Sequence, residues 1–191
     1  PYVSRGGLKL AHGLDHFAIN VTGLNALDIG ASTGGFTDVL LRRGAAHVTA
    51  VDVGYGQFDW RLRSDARVTL RERTNARGLT AELVGPRPGI ITADVSFISL
   101  EKALPAALAL AAPGCWLVAL IKPQFEVGKG LVGKGGVVRE PALHDEVCRR
   151  IEAWLAMQAG WRVLGTVESP ILGPEGNREF LVAARRDVSA P

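Results

Sequence analysis

The chain has 191 residues, 47% of them hydrophobic, and a formal net charge of +3. That is enough to bury one core, as a single domain over residues 1–191. Its two cysteines, Cys115 and Cys148, lie far apart without metal-site spacing, which excludes a disulfide scaffold and fits a reducing, cytoplasmic setting.

The sequence opens PYVSRGGLKL, with no initiator Met and no signal-peptide pattern, and reads as a piece of a longer protein. Residues 7–18 predict a helix and 24–29 a strand. The turn GASTGG follows and leads into a helix over 35–43, with Phe36, Val39 and Leu40 on one face. AHVTAVDV (46–53) predicts a second strand ending at Asp52, RVTLRE (67–72) a third, and GIITADV (89–95) a fourth.

Ala103 to Ile121 carries no charge for 19 residues, close to the length of a membrane span. Pro105, Pro113 and Gly114 punctuate it, and the Pro-Gly pair divides it into an Ala/Leu-rich helix and a fifth, buried strand, CWLVALI (115–121). KPQFEVGKGLVGKGGVVRE (122–140) is glycine-rich with three lysines, and reads as a mobile surface loop or as a flap over a site that touches phosphates. A long helix over 141–159 precedes two closing strands, WRVLGTVES and REFLVAARR, joined by SPILGPEGN. Strands alternating with helices predict a mostly parallel sheet covered on both faces. The last two strands have no helix between them, so the final one is expected to run antiparallel.

In such a sheet, ligands bind beyond the carboxyl ends of the central strands. The turn after LDIG holds Gly30 and Gly34 at the tight positions, but G-A-S-T-G-G lacks the second glycine of a dinucleotide fingerprint. It also lacks the Gly-Lys-Ser/Thr of a triphosphate loop. Asp52, ending the second strand, suits a carboxylate that accepts from ribose hydroxyls. These residues therefore favour a nucleoside cofactor without a phosphate to grip.

LDIGASTGGFTDVLL resembles the first motif of S-adenosylmethionine-dependent methyltransferases of the FtsJ-like class. More narrowly, SRGGLKL, ERTNAR, ADVSFISL, LIKPQFEVGKG and GNREF together resemble the TlyA (hemolysin A) family of rRNA 2′-O-ribose methyltransferases, over residues 2–186. The resemblance implies a Rossmann-like methyltransferase fold, with a seven-stranded, mostly parallel sheet, an antiparallel last strand and helices on both faces. It implies S-adenosyl-L-methionine as cofactor and ribosomal RNA or ribosomal subunits as partner. That family usually carries a small RNA-binding domain before this point, which fits the abrupt start.

The same resemblance implies a Lys-Asp-Lys-Glu catalytic set: Lys9 on the first helix, Asp94 after strand four, Lys122 after strand five and Glu179 at the last strand. It places Gly34 and Phe36 near the methionine part of the cofactor, Asp52 near its ribose and Asn75 beside adenine, with Gly30, Ser32, Gly35 and Asp94 completing the site. Relatives often have an aspartate where Asn75 stands.

The residue types suit the chemistry. A ribose 2′-hydroxyl is a poor nucleophile, so oxygen, methyl and sulfur must be aligned and one proton removed. A lysine takes a proton only where desolvation or a nearby positive charge favours its neutral form, and two lysines would supply that charge to one another. Two carboxylates would orient them and prevent an uncompensated buried charge. A lysine ending the apolar run LVALI is costly unless it faces a site.

The basic residues, 17 Arg against 5 Lys, fit phosphate recognition or an ordinary Arg-rich surface. Trp60, Trp116, Trp154 and Trp161 read as core or rim packing, and Asp28 as a residue that orders the glycine turn. The histidines lack metal-ligand spacing, so no metal is expected. A membrane-active cytolysin, suggested by the family's older name, would need a spanning helix or lipid-facing strands, and stable membrane insertion is not expected. A cofactor-binding regulator would have no use for two lysines near a methyl group.

Overall fold

The computed structural model describes residues 1–189. Five parallel strands, β1 (Asn25–Ile29), β2 (His47–Val51), β3 (Val68–Arg71), β4 (Ile90–Ala93) and β5 (Trp116–Ile121), are continued by β6 (Trp161–Glu168) and β7 (Phe180–Arg186). They form one seven-stranded sheet in the order β3-β2-β1-β4-β5-β7-β6. β7 runs antiparallel to both of its neighbours, as expected from the missing crossover helix. The chain leaves β1 toward β2 on one side and returns to β4 on the other, so a crevice opens beyond the carboxyl ends of β1 and β4.

Both sheet faces are covered. On one side α1 (Gly6–His16) and α2 (Gly35–Arg42) seat Leu10, Leu14, Phe36, Val39 and Leu40 against Val118 and Leu120 of β5 and Val48 and Ala50 of β2. On the other, α5 (Leu100–Ala103), α6 (Pro105–Ala109) and α7 (Pro141–Ala156) pack Leu100, Leu104, Val147, Ile151 and Leu155 against Leu117, Ala119 and Ile121. Burial on both faces is why β5 reads as the unbroken apolar run WLVALI, and it is the largest favourable contribution to the fold.

Two short helices, α3 (Trp60–Arg63) and α4 (Ala81–Val84), form in the crossovers flanking β3. Each is a single turn, too short to show helical periodicity, and is set by its cap: Asp59 accepts from Arg61 N and Thr80 from Leu83 N. Within the Ala/Leu-rich stretch α5 ends at Ala103 and α6 begins at Pro105, which lacks an N–H and starts a new helix. Gly114, at φ +76°, then turns the chain into β5. Among the described residues no helix is long and apolar enough to cross a membrane.

Candidate active site

The glycine turn is built by close approach. Gly30 has φ +76°, and a Cβ there would run into the carbonyl of Asp94 at the end of β4. Ser32 at φ +52° and Gly34 at φ +107° complete the turn. Asp52 fastens it from β2: Oδ2 accepts from Ser32 N at 2.7 Å, and Oδ1 accepts from Gly54 N at 2.8 Å and Gln57 Nε2 at 3.3 Å. Beneath the turn, Asp28 is fully buried and accepts from the hydroxyls of Thr37 (2.7 Å) and Thr92 (3.2 Å). Burial pushes its carboxyl up to about 7.

A cavity of ≈ 370 Å³ lies beyond β1, β2 and β4. Ile29, Val51, Val95 and Ala103 give it apolar walls, and Asp52, Asn75 and Asp94 polar ones. It shares Gly30, Ser32 and Asp94 with an adjoining cleft of ≈ 400 Å³ that holds Lys9, Gly35, Phe36 and Lys122. Apolar walls for an adenine, a fixed carboxylate with spare acceptor capacity for ribose, and a passage to two lysines fit S-adenosylmethionine.

The four candidate catalytic residues come together as two ion pairs. Lys122 Nζ lies 2.5 Å from Asp94 Oδ1 and donates to Ser96 Oγ at 3.1 Å. Lys9 Nζ donates to Glu179 Oε1 at 2.6 Å, a contact between residues 170 apart in sequence. Both lysines and Glu179 are buried, whereas Asp94 keeps a quarter of its side chain open. Each sits where an element ends or starts: Asp94 after β4, Lys122 after β5, Glu179 before β7, and Lys9 one turn into α1.

Several expected positions differ. Gly34 does not line either cavity; a Cβ there would meet Leu62 and Phe58, so its place is under α3. Asn75 lines the cofactor cavity, but its Oδ1 already accepts from Arg77 N at 2.9 Å and caps the 76–78 turn. Its Nδ2 makes no hydrogen bond among the described residues and is free to donate to a ligand. Trp60 is 72% exposed rather than packed, because it begins α3 on the outer side while Leu62 takes the buried position. Trp161 is buried, and Trp116 and Trp154 are half-buried. The 122–140 stretch is fastened at two places: Glu126 pairs with Arg150 near its start, and near its end Asn177 Oδ1 accepts from Val138 N at 3.0 Å and His144 Nε2 bonds Val138 O at 2.8 Å.

Sequence reasoning missed Phe97. It is 89% exposed at φ +64°, an unusual conformation for a bulky residue, with its ring 4.8 Å from that of Phe125. The pair borders a third cavity of ≈ 410 Å³ that also takes in Lys122, Gln124 and Asn177. Its apolar neighbours in ADVSFISL hid it, and only the motif as a whole marked the place.

The family model described as FtsJ-like methyltransferase matches residues 2–186. The 16S/23S rRNA (cytidine-2′-O)-methyltransferase TlyA of Mycobacterium tuberculosis is 54% identical over 184 residues, covering 96% of this chain and 68% of that protein. Hemolysin A of Brachyspira hyodysenteriae is 41% identical over 181 residues, covering 94% of this chain and 75% of its own length. A crystal structure from Lactococcus lactis, described as a hemolysin, superposes with a TM-score of 0.93 at 45% identity, covering 98% of this chain and 89% of that one.

Proposed function

Because the chain belongs to the FtsJ-like methyltransferase family, we propose that it transfers the methyl group of S-adenosylmethionine to a ribose 2′-hydroxyl of ribosomal RNA. The observation that carries this reading is the convergence of the Lys122–Asp94 and Lys9–Glu179 pairs on a cleft that opens into the cofactor cavity. Both enzymes and hemolysins are named among the relatives, and the catalytic pairs favour the enzyme.

The cofactor supplies a methyl group already activated on a sulfonium. Asp52, Asn75 and the apolar walls of the cavity bind its nucleoside part, and Gly35 and Phe36 border its path toward the lysines. Asp94 and Ser96 hold the Lys122 ammonium in one direction, which leaves its remaining face for the ribose oxygen. The Lys122 ammonium passes one of its protons to Asp94 as it takes up the hydroxyl proton, so that the carboxylate is the final acceptor while the oxygen becomes nucleophilic. Lys9, locked by Glu179, adds a second positive charge that steadies the developing oxyanion. Alignment of oxygen and methyl supplies most of the acceleration.

The test is incubation with separate small and large ribosomal subunits and a methyl-labelled cofactor, followed by mapping of the modified ribose. A 2′-O-methyl mark at a discrete nucleotide is expected. Label on a base or on protein alone, or liposome lysis without methyl transfer, would overturn the reading.

A further inference from the structure

The loop after β2 and the first residue of α3 expose three large apolar side chains within eight residues: Val53 (71%), Tyr55 (66%) and Trp60 (72%). Exposed aromatic side chains are ordinary on a floppy loop, but this one is fastened at almost every step. Gly54 N donates to Asp52 Oδ1 and Gly54 O accepts from Arg73 N at 3.0 Å. Gly56 N donates to Glu72 Oε2 at 2.6 Å, Phe58 is buried, and Asp59 N donates to Thr33 O at 3.0 Å. A rigid scaffold that holds aromatic rings in solvent is the arrangement of a binding surface.

Arg73 strengthens that reading. It stands at φ +50°, strained for a non-glycine residue, and its guanidinium lies 4.1 Å over the Tyr55 ring. Residues 53–77 hold six arginines against three acids, a surplus of three that equals the formal charge of the whole chain. The three acids are used up locally, in Arg61–Asp59, Arg63–Glu72 and Arg67–Asp65 pairs, while Arg73 and Arg77 form no ion pair among the described residues. Val53 and Gln57 line the cofactor cavity, so the surface lies on the same end of the sheet as the catalytic cleft.

We infer that Tyr55, backed by Arg73, and Trp60 form a stacking platform for unpaired bases of the RNA strand flanking the target ribose. The inference rests on the proposed RNA methylation and adds where the strand lies. Aromatic faces take any base, so the platform contributes affinity with little sequence preference, and the arginines supply the phosphate attraction. A protein partner would be expected at a less basic, more continuous apolar patch.

The test measures binding and transfer separately. Binding of a dye-labelled single-stranded RNA oligomer is followed by its fluorescence anisotropy, with quenching of intrinsic fluorescence recorded beside it. Trp60→Ala and Tyr55→Ala should each weaken it by roughly 5- to 150-fold, the range set by one lost base stack. Trp60→Phe should bind almost as well as the wild type while losing most of the quenching. Cofactor affinity and the single-turnover rate at saturating RNA should stay at the wild-type level in all three, so the loss appears in KM. Unchanged RNA binding by the double variant Tyr55→Ala/Trp60→Ala would overturn the inference. So would an effect seen with intact subunits but not with bare RNA, which assigns the surface to a ribosomal protein, or a change in oligomeric state, which assigns it to a second copy. Wild-type protein that methylates no ribosomal RNA would instead overturn the parent reading, and the oligomer measurement still decides the platform.

Discussion

The carboxylate of Glu179 lies flat against the backbone of Gly173, and a single Cβ on residue 173 would occupy the place of Oε2. Gly173 has φ −82° and ψ −171°, which any residue adopts, so space and not backbone freedom requires glycine there. The same contact seals Oε2 from solvent without a hydrogen-bond partner, and leaves Oε1 to meet Lys9. Gly173→Ala should therefore push the carboxylate off Lys9. Misplacement of a catalytic group by about 1 Å can cost on the order of 100-fold in rate. The expected result is slower single-turnover transfer with cofactor affinity retained. Wild-type turnover in Gly173→Ala would show that the Lys9–Glu179 pair tolerates displacement.

In the proposed reaction Lys122 serves the hydroxyl side of the site; Asp94 and Ser96 hold it, and it does not line the cavity that contains Asp52 and Asn75. Lys122→Ala should lower methyl transfer by about 10²- to 10⁴-fold, the usual worth of a positioned proton acceptor, with cofactor binding close to wild type. Asp94→Ala should affect both, because Asp94 borders both cavities. Titration of cofactor binding beside single-turnover transfer separates these outcomes. Loss of binding in proportion to activity in Lys122→Ala would assign Lys122 to the cofactor.

Asp28 makes stability depend on pH. Its carboxyl sits at about 7 in the fold against 3.8 when free, so between those values the native state binds the proton that the unfolded chain has released. Stability falls as pH rises through this window, and above it the cost of the buried charge is fully present, on the order of 4 kcal/mol. Asp28→Asn keeps an acceptor for Thr37 and removes the titration. Urea midpoints from pH 5 to 8 should decline more steeply in wild type than in Asp28→Asn. Parallel slopes would mean that Asp28 stays ionised through its two threonine bonds.

The parts of the site carried by strand ends were legible in the sequence, and those carried by loop packing were not. Asp94 and Lys122 could be placed because each follows an apolar run whose period fixes where the strand stops. The Lys9–Glu179 pair joins the first helix to the last strand, and only resemblance to a known family put the two in one site. Gly173, Ser96 and Phe97 act through non-local contacts that leave no period or spacing to read. Trp60 misled for the opposite reason: a tryptophan is packed often enough that exposure has to be seen. The count of 17 Arg against 5 Lys pointed to basic surface, but not to the three local ion pairs that engage half of the six arginines in residues 53–77.

Asn177 connects the glycine-rich flap to the segment that carries Glu179, two residues away. Its side chain is 2% exposed; Oδ1 accepts from Val138 N at 3.0 Å, and Nδ2 donates to Gly136 O at 2.9 Å and Pro174 O at 3.3 Å. These bonds hold residues 136–138 beside the cavity that contains Phe97 and Lys122. Asn177→Ala strands the buried Val138 N–H, at a cost of about 1–3 kcal/mol, and frees the flap from the loop that carries Gly173. Asn177→Asp should fall between, since a carboxylate still accepts from Val138 N but cannot donate to Gly136 O. Trypsin cleavage after Lys129 and Lys134 reports flap release directly, because a protease needs the segment unfastened. Faster cleavage should track slower transfer to RNA across wild type, Asn177→Asp and Asn177→Ala, with cofactor affinity nearly constant. Equal cleavage rates in all three proteins would mean that the His144 bond to Val138 O and the Glu126–Arg150 pair fasten the flap without Asn177.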